Sequence, residues 1–455
     1  MRTPLTNSDN SVNTNIGNSS KLTTNMDMHM NVNTMKRQTK KMKMKKMKMK
    51  MDFFGDAFGF EEQGYHETKE KLLQVAKFHR VPSQHADYFR EQCDFDVPGE
   101  ASVTAGIFSM PSVRNLREHA NRITSDIKVD KNSIIASDSE SRSSIITVRN
   151  IIGEARSLHT SDEITKKGDR APVIIQAASQ FNLLEFPSPD VVPESGIKNY
   201  VNDATQGPAC AIACAAGTAY RNYLVPVTLT EPLPNTGEEQ YDKHNRGQTK
   251  QRQLNGLADV EEYLVRESNL QQPPWDVKNG YIESTKARLD PLNQLISNST
   301  STANDGNGND VDSINCLDFR EEMIARIRIG LQENTAVTDD NTHPYTTTVT
   351  QTYNSAISIG YSMLGSKIWT PLSQIVLDAT YEATLLAGII HIKSGAPPPI
   401  VFLTQVGGGV FGNEWIWIRS AMARAIQRVE KYNVPLDIRI VHFGEIDERY
   451  MELET

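Results

Sequence analysis

The chain has 455 residues, 38% of them apolar and 23% charged. That is long enough for two or three domains, or one with large insertions, and poor enough in apolar residues for part of it to stay unfolded. The net charge of −8 is uneven: residues 1–51 hold eleven Lys/Arg against two Asp/Glu, or +9, which leaves −17 on the rest and makes that body a poor general binder of nucleic acid.

Residues 1–51 are low in complexity. An Asn/Thr/Ser/Met tract precedes MKRQTKKMKMKKMKMKM, and ten of the fifteen methionines fall here. So little apolar area cannot offset ordering entropy, so a disordered basic tail is expected, with nuclear localisation or attachment to an anionic surface as the functional alternative. Residues 52–145 read as a helical and irregular lead-in. Glu67–Val81 has helical spacing, 101–123 suggests a short strand, a Pro-Ser turn and a helix, and 125–145 is polar. From residue 146 the pattern is α/β. Strands are expected at Ser144–Ile152, Pro172–Ala177, Trp275–Ile282, within Thr346–Tyr361, at Pro399–Leu403 and at Leu436–Phe443. Helices are expected at Pro208–Leu224, Leu254–Glu267, Phe319–Leu331, Leu372–Ala387 and Trp415–Tyr432. Two polar insertions, 231–253 and 297–313, are expected to be disordered. Strands alternating with helices imply a sheet covered by helices on both faces, in one domain over 146–455.

No run of residues approaches twenty apolar positions and no apolar leader is visible, so neither a membrane span nor a secretory signal is expected. Four cysteines (Cys93, Cys210, Cys214, Cys316) read as reduced thiols of an intracellular protein, cytoplasmic or nuclear. Cys210 and Cys214 share a helix face but lack the further ligands that zinc requires, so no metal is expected. There is no G-x-S-x-G, P-loop or H-E-x-x-H signature.

Thr404–Asn413, TQVGGGVFGN, follows a buried strand and precedes a long helix. Glycines there permit positive φ and close backbone approach, and amides at a helix N-terminus suit a phosphate or diphosphate. Gly407, Gly409 and Gly412 also spell G-x-G-x-x-G, but only 43 residues follow Gly412, too few for the rest of a dinucleotide-binding fold, so a Rossmann-type protein is the weaker alternative. A glycine turn used only for packing is the bland one. Ile174–Glu185, IIQAASQFNLLE, carries Gln176, Ser179, Gln180 and Asn182 beyond small residues, groups able to bond sugar hydroxyls. Asn202–Ala209, NDATQGPA, places Asp203 and Gln206 just before a helix start, where a carboxylate either caps the helix or activates water. Arg221 reads as a dipole partner or a phosphate ligand. Glu382, on an apolar helix, is either a functional acid or a satisfied polar group.

These segments together resemble the macrodomain family, the ADP-ribose-binding α/β/α fold. The run strand–TQVGGGVFGN–helix–LDIRIVHF is similar to its S-T-G-[VI]-[YF]-G loop and final strand, IIQAASQFN to its V-N-A-A-N strand exit, and NIIGEA at Asn150–Ala155 to its G-D-I-T. The resemblance covers about 146–228 and 346–446, and it implies a three-layer mixed sheet binding ADP-ribose or an ADP-ribosylated protein without a cofactor. It implies further that Gly408, Gly409, Val410, Phe411, Gly412 and Asn413, with Gly407, wrap the diphosphate and that Phe411 packs on the distal ribose. Glu154 would meet adenine, Gly207–Ala209 would take the place of the family's first glycine-rich loop, and Gln206 beside it is a further ligand-binding candidate. Ser179 stands where the hydrolytic members have Asn, and TQGPA replaces a glycine run, so binding is better supported than hydrolysis. Should the chain hydrolyse ADP-ribosyl bonds, Asp203 or Asn182 would orient the water; the rival is a non-catalytic ADP-ribose reader.

Overall fold

In a computed structural model, the structure describes residues 52–83, 85–98, 101–132, 145–161, 171–227, 245–268, 270–301, 313–339 and 344–455. The expectations for the 1–51 tail, for most of the 231–253 insertion and for the middle of 297–313 lie outside these residues. Asp52–Thr455 pack as a unit around one nine-stranded sheet.

In chain order the elements begin with α1 (Phe53–Phe58), α2 (Tyr65–Val75), β1 (Ala76–Arg80), β2 (Arg90–Phe95), β3 (Val103–Ser109) and α3 (Val113–Asn132). Then come β4 (Ile146–Ile152), α4 (Ala155–Leu158), β5 (Val173–Ala178), α5 (Gln206–Ala213), α6 (Ala215–Ala219), α7 (Ala258–Arg266), β6 (Asp276–Lys278) and β7 (Tyr281–Glu283). The last are α8 (Lys286–Ser301), α9 (Ser313–Arg326), β8 (Gly330–Ala336), β9 (Thr348–Asn354), α10 (Ser366–Ile390), β10 (Ile400–Leu403), α11 (Trp415–Glu430) and β11 (Leu436–His442).

The sheet order is β1-β2-β3-β8-β9-β5-β10-β11-β4. From β9 to β4 every pair is parallel; from β1 to β9 every pair is antiparallel. All of β10 and all but the last residue of β5 are buried, as parallel strands covered on both faces must be. Their apolar runs reflect this. The core centres on α10, nearly all buried from Leu372 to Ile390, which packs against α11, α3, β10 and β5. Pro371 lies in its second turn and costs the helix one hydrogen bond, to the Lys367 carbonyl.

The differences from the sequence reading have physical causes. The N-terminal lead-in supplies β1, β2 and β3, which extend the sheet through β3 on β8. Helical spacing in Glu67–Val81 ends at Val75, because the next five residues pair with Phe95–Glu91. Phe319–Leu331 likewise breaks after Arg326, and Gly330 onward becomes β8, paired on both sides. Trp275–Ile282 is a hairpin rather than one strand: Lys278 pairs with Tyr281 across Asn279-Gly280, both at positive φ, which is the two-residue turn that Asn-Gly favours. Arg246, Gly247 and Gln248, inside the polar insertion, are buried. No helix of the described residues is long and apolar enough to cross a membrane.

Candidate functional site

Strands β4, β11, β10 and β5 are parallel neighbours and end at the same edge of the sheet. Crevices beyond such strand ends are where open α/β sheets take ligands. Here the departing segments line two adjoining cavities. The narrower, about 210 Å³, is walled by Ser179, Glu185, Asp203, Gly207, Gly407 and Phe411 among others. The wider, about 870 Å³, is walled by Glu154, His442, Phe443 and the 445–449 segment. Ala178, Gln206, Gln405 and Val406 border both, so the two are halves of one trough.

Two side-chain amides build the meeting point. Gln206 accepts from the Ala178 amide at 2.5 Å and donates to the Gln176 carbonyl at 2.6 Å, extending the ladder of β5 with a side chain. This clamp presses the start of α5 onto β5. Gly207 allows it: a Cβ there would stand 2.1 Å from the Ala178 carbonyl oxygen. Gln176 accepts from the Thr404 amide at 2.9 Å and donates to Thr384 Oγ1 at 3.0 Å, tying β5 to the exit of β10 and to α10. It is wholly buried and braces the trough from below without lining it.

The Thr404–Asn413 loop divides its amides by task. Gly408 donates to Gln405 at 3.0 Å, Gly412 to Gly409 at 3.0 Å and Asn413 to Gly407 at 2.9 Å, while the Asn413 side chain donates to Ile357 at 2.8 Å. These residues shape the turn, and Gly407, at φ +80°, makes it. The amides of Gly407, Gly409, Val410 and Phe411 meet no acceptor among the described residues, and all four residues line the narrow cavity. Across from them, α5 opens with no side-chain cap, so the amides of Gln206 and Gly207 are also unengaged. Two chain segments whose N–H groups have no protein acceptor thus line one cavity, where an anion would engage such donors.

The remaining predicted residues are sorted by the structure. Asp203, partly exposed, lines the cavity while its carboxylate accepts from the Thr205 amide at 2.8 Å. Ser179 lines it too, with its hydroxyl on the Gln180 carbonyl. Glu154 borders the wide half. Asn182 is not brought to the trough: it is buried, donates to Gln253 at 2.8 Å and accepts from the Leu184 amide. Arg221 is buried against Glu185 at 3.2 Å and stacked on Tyr353, away from solvent. Glu382 is satisfied by Arg117 at 2.6 Å and Arg424 at 2.7 Å, remote from the trough lining. Cys210 and Cys214 are buried and their thiols are pushed up by burial.

His442, Phe443, Tyr281 and Glu185 line the trough but went unrecognised in the sequence. His442 accepts the Asp447 amide on Nδ1, so Nε2 carries the proton and donates to Asn150 at 2.7 Å; burial lowers its pKa. Phe443, 81% exposed, stands on the rim of the wide half. Tyr281 and Phe411 face each other with ring centroids 5.6 Å apart over the narrow half. Glu185 is a carboxyl with a side chain only 1% exposed; burial raises its pKa to about 7, against the pull of Arg221. Its one sequence signal is a charge inside the apolar run LLEF.

No family model, curated protein or solved structure matches the chain.

Proposed function

We propose that this protein binds ADP-ribose, free or attached to a protein, in a macrodomain-like site at the ends of its parallel strands. The observation that carries the reading is that six residues whose amides have no protein acceptor, Gly407, Gly409, Val410, Phe411, Gln206 and Gly207, line one cavity. A diphosphate supplies acceptors for such donors from both sides, and it needs no metal to do so. The wide half, with Glu154 and the exposed Phe443 ring, suits the adenosine end: a carboxylate to accept from an exocyclic amine and an apolar face to stack on. The narrow, aromatic half suits the distal ribose.

Support also comes from order. The three segments that resemble macrodomain motifs lie on β4, β5 and β10, with the final strand β11 between β4 and β10. All four discharge into the same trough. A three-layer macrodomain-like arrangement is part of this proposal.

Isothermal calorimetry with ADP-ribose tests it. Saturable heat at micromolar ligand is expected, with ADP weaker and ribose 5-phosphate weaker still. Absence of heat at high micromolar ADP-ribose would overturn the reading.

A further inference from the structure

We propose that Glu185 is the general acid of this site and that it serves cleavage of O-glycosidic ADP-ribosyl bonds, those to a hydroxyl, in preference to esters of carboxyl side chains. This rests on the ADP-ribose reading above.

Position is the first ground. Glu185 lines the narrow cavity together with Gly207, Gly409 and Phe411. That is where the distal ribose lies if the diphosphate sits on the free amides. The second is how the carboxyl is held. Oε1 accepts from Arg221 at 3.2 Å, and Arg221 is itself fixed by the Leu183 carbonyl and the Tyr353 ring. Oε2 has no hydrogen-bond partner. The Tyr200 hydroxyl accepts from the Glu185 amide at 2.9 Å and lies close enough to the carboxyl to lower its pKa. A buried, unpartnered carboxyl oxygen in a residue that lines a cavity is costly unless something arrives to use it. The third ground is the proton. With its pKa near 7, the group holds a proton for a large part of the time at neutrality and can give it up, the condition for an efficient acid. Asp203, the other carboxyl on the cavity, is partly solvated and accepts an amide, so one cavity offers two carboxyls in unlike environments.

The step balances without a redox partner. The Glu185 proton passes to the glycosidic oxygen as the bond from that oxygen to the anomeric carbon breaks, and the alcohol leaves neutral. Water bonds to the anomeric carbon, its released proton goes to the Asp203 carboxylate and then to solvent, and Glu185 is reprotonated from solvent. The sum is ADP-ribosyl ether plus water giving ADP-ribose plus alcohol. A carboxylate leaves readily as an anion and needs no such proton, whereas an alkoxide does; the acid therefore selects the hydroxyl-linked substrate.

The test uses the full chain with a peptide mono-ADP-ribosylated on serine and one modified on glutamate, following release of labelled ADP-ribose, with calorimetry on the same samples. The wild type should bind ADP-ribose, release it faster from serine, and lose rate above about pH 7. E185Q should bind within threefold of wild type, release from serine about 10²- to 10⁴-fold more slowly, and lose the basic limb of the pH profile. Formate should restore part of the E185A rate. Should E185Q not melt cooperatively, E185D keeps the pair with Arg221 while withdrawing the acid, and the same slow release with retained binding is expected. An E185Q or E185D that cleaves serine linkages at the wild-type rate overturns the proposal. So does a loss of binding and melting temperature with an unmoved pH limb, the mark of a purely structural ion pair. Wild type that binds without releasing label sinks the acid and leaves the ADP-ribose site standing; wild type that does not bind sinks both.

Discussion

Two glycines on the same cavity are held by opposite constraints, and this separates fold from binding. Gly207 is packed so closely that a methyl would meet the Ala178 carbonyl oxygen at 2.1 Å, and that carbonyl belongs to a central strand that cannot yield. Gly207→Ala should cost about 1–3 kcal/mol in denaturant unfolding. Gly409 has nothing within 4 Å of the position a Cβ would take. Gly409→Ala should leave the melting temperature unchanged while weakening ADP-ribose binding about tenfold by calorimetry, since the methyl would enter the space left for ligand. Unaltered affinity in Gly409→Ala would place the diphosphate elsewhere.

Among the elements, α10 shows how a charge is kept in an apolar helix. Glu382 is 1% exposed and its two oxygens are met by Arg117 from α3 and Arg424 from α11, with Glu321 of α9 joining both arginines. Burial alone would raise this carboxyl, but the two guanidiniums bring it below its usual range. Four helices are thereby pinned at one junction. Removing the carboxylate leaves two arginines short of a partner, so Glu382→Ala should destabilise by about 3 kcal/mol in urea unfolding while the folded fraction binds ADP-ribose normally. A selective loss of binding would instead give Glu382 a role in the site. At the same scale, β1 and β8 show how helical spacing misleads: each apolar run is short, and the strand beside it decides its conformation.

Over the whole molecule, buried titratable groups make the fold sensitive to acid. His119 and His159 are both lowered to about 4, chiefly by burial; His159 accepts from Gln351 on Nε2 and donates to the Ala155 carbonyl, a neutral tautomer. Glu333 is opposed by burial, but His391 and Arg90 outweigh it and bring it to about 2. In each case the unfolded chain takes up protons that the native state refuses. Stability is then lost between about pH 6.5 and 4 through the histidines, and between about 4.5 and 2 through Glu333. Glu185 has the opposite sign: its raised pKa makes the native state the better proton acceptor between about 4.5 and 7, offsetting about one histidine's effect and leaving the other's. Urea midpoints should fall from about pH 6.5 to 3. His159→Gln should flatten the upper window and Glu333→Gln the lower, the latter costing roughly 3 kcal/mol at pH 7. A midpoint independent of pH below 6 would contradict this assignment.

The sequence by itself determined the local units: apolar runs long enough to be buried strands, helices over 372–387 and 415–430, and the glycine loop between a strand and a helix. Those features depend on spacing within a few residues. Tertiary structure decided the rest. Whether Gln176 faces ligand or braces β5 depends on Thr384 and Thr404, more than two hundred residues away. Whether Asn182 reaches the trough depends on Gln253, which holds it elsewhere. Glu185 acquires its proton affinity only because folding strips water from it faster than Arg221 compensates. Hydrogen-bond partners and desolvation belong to the packed chain, and no pattern along the sequence carries them.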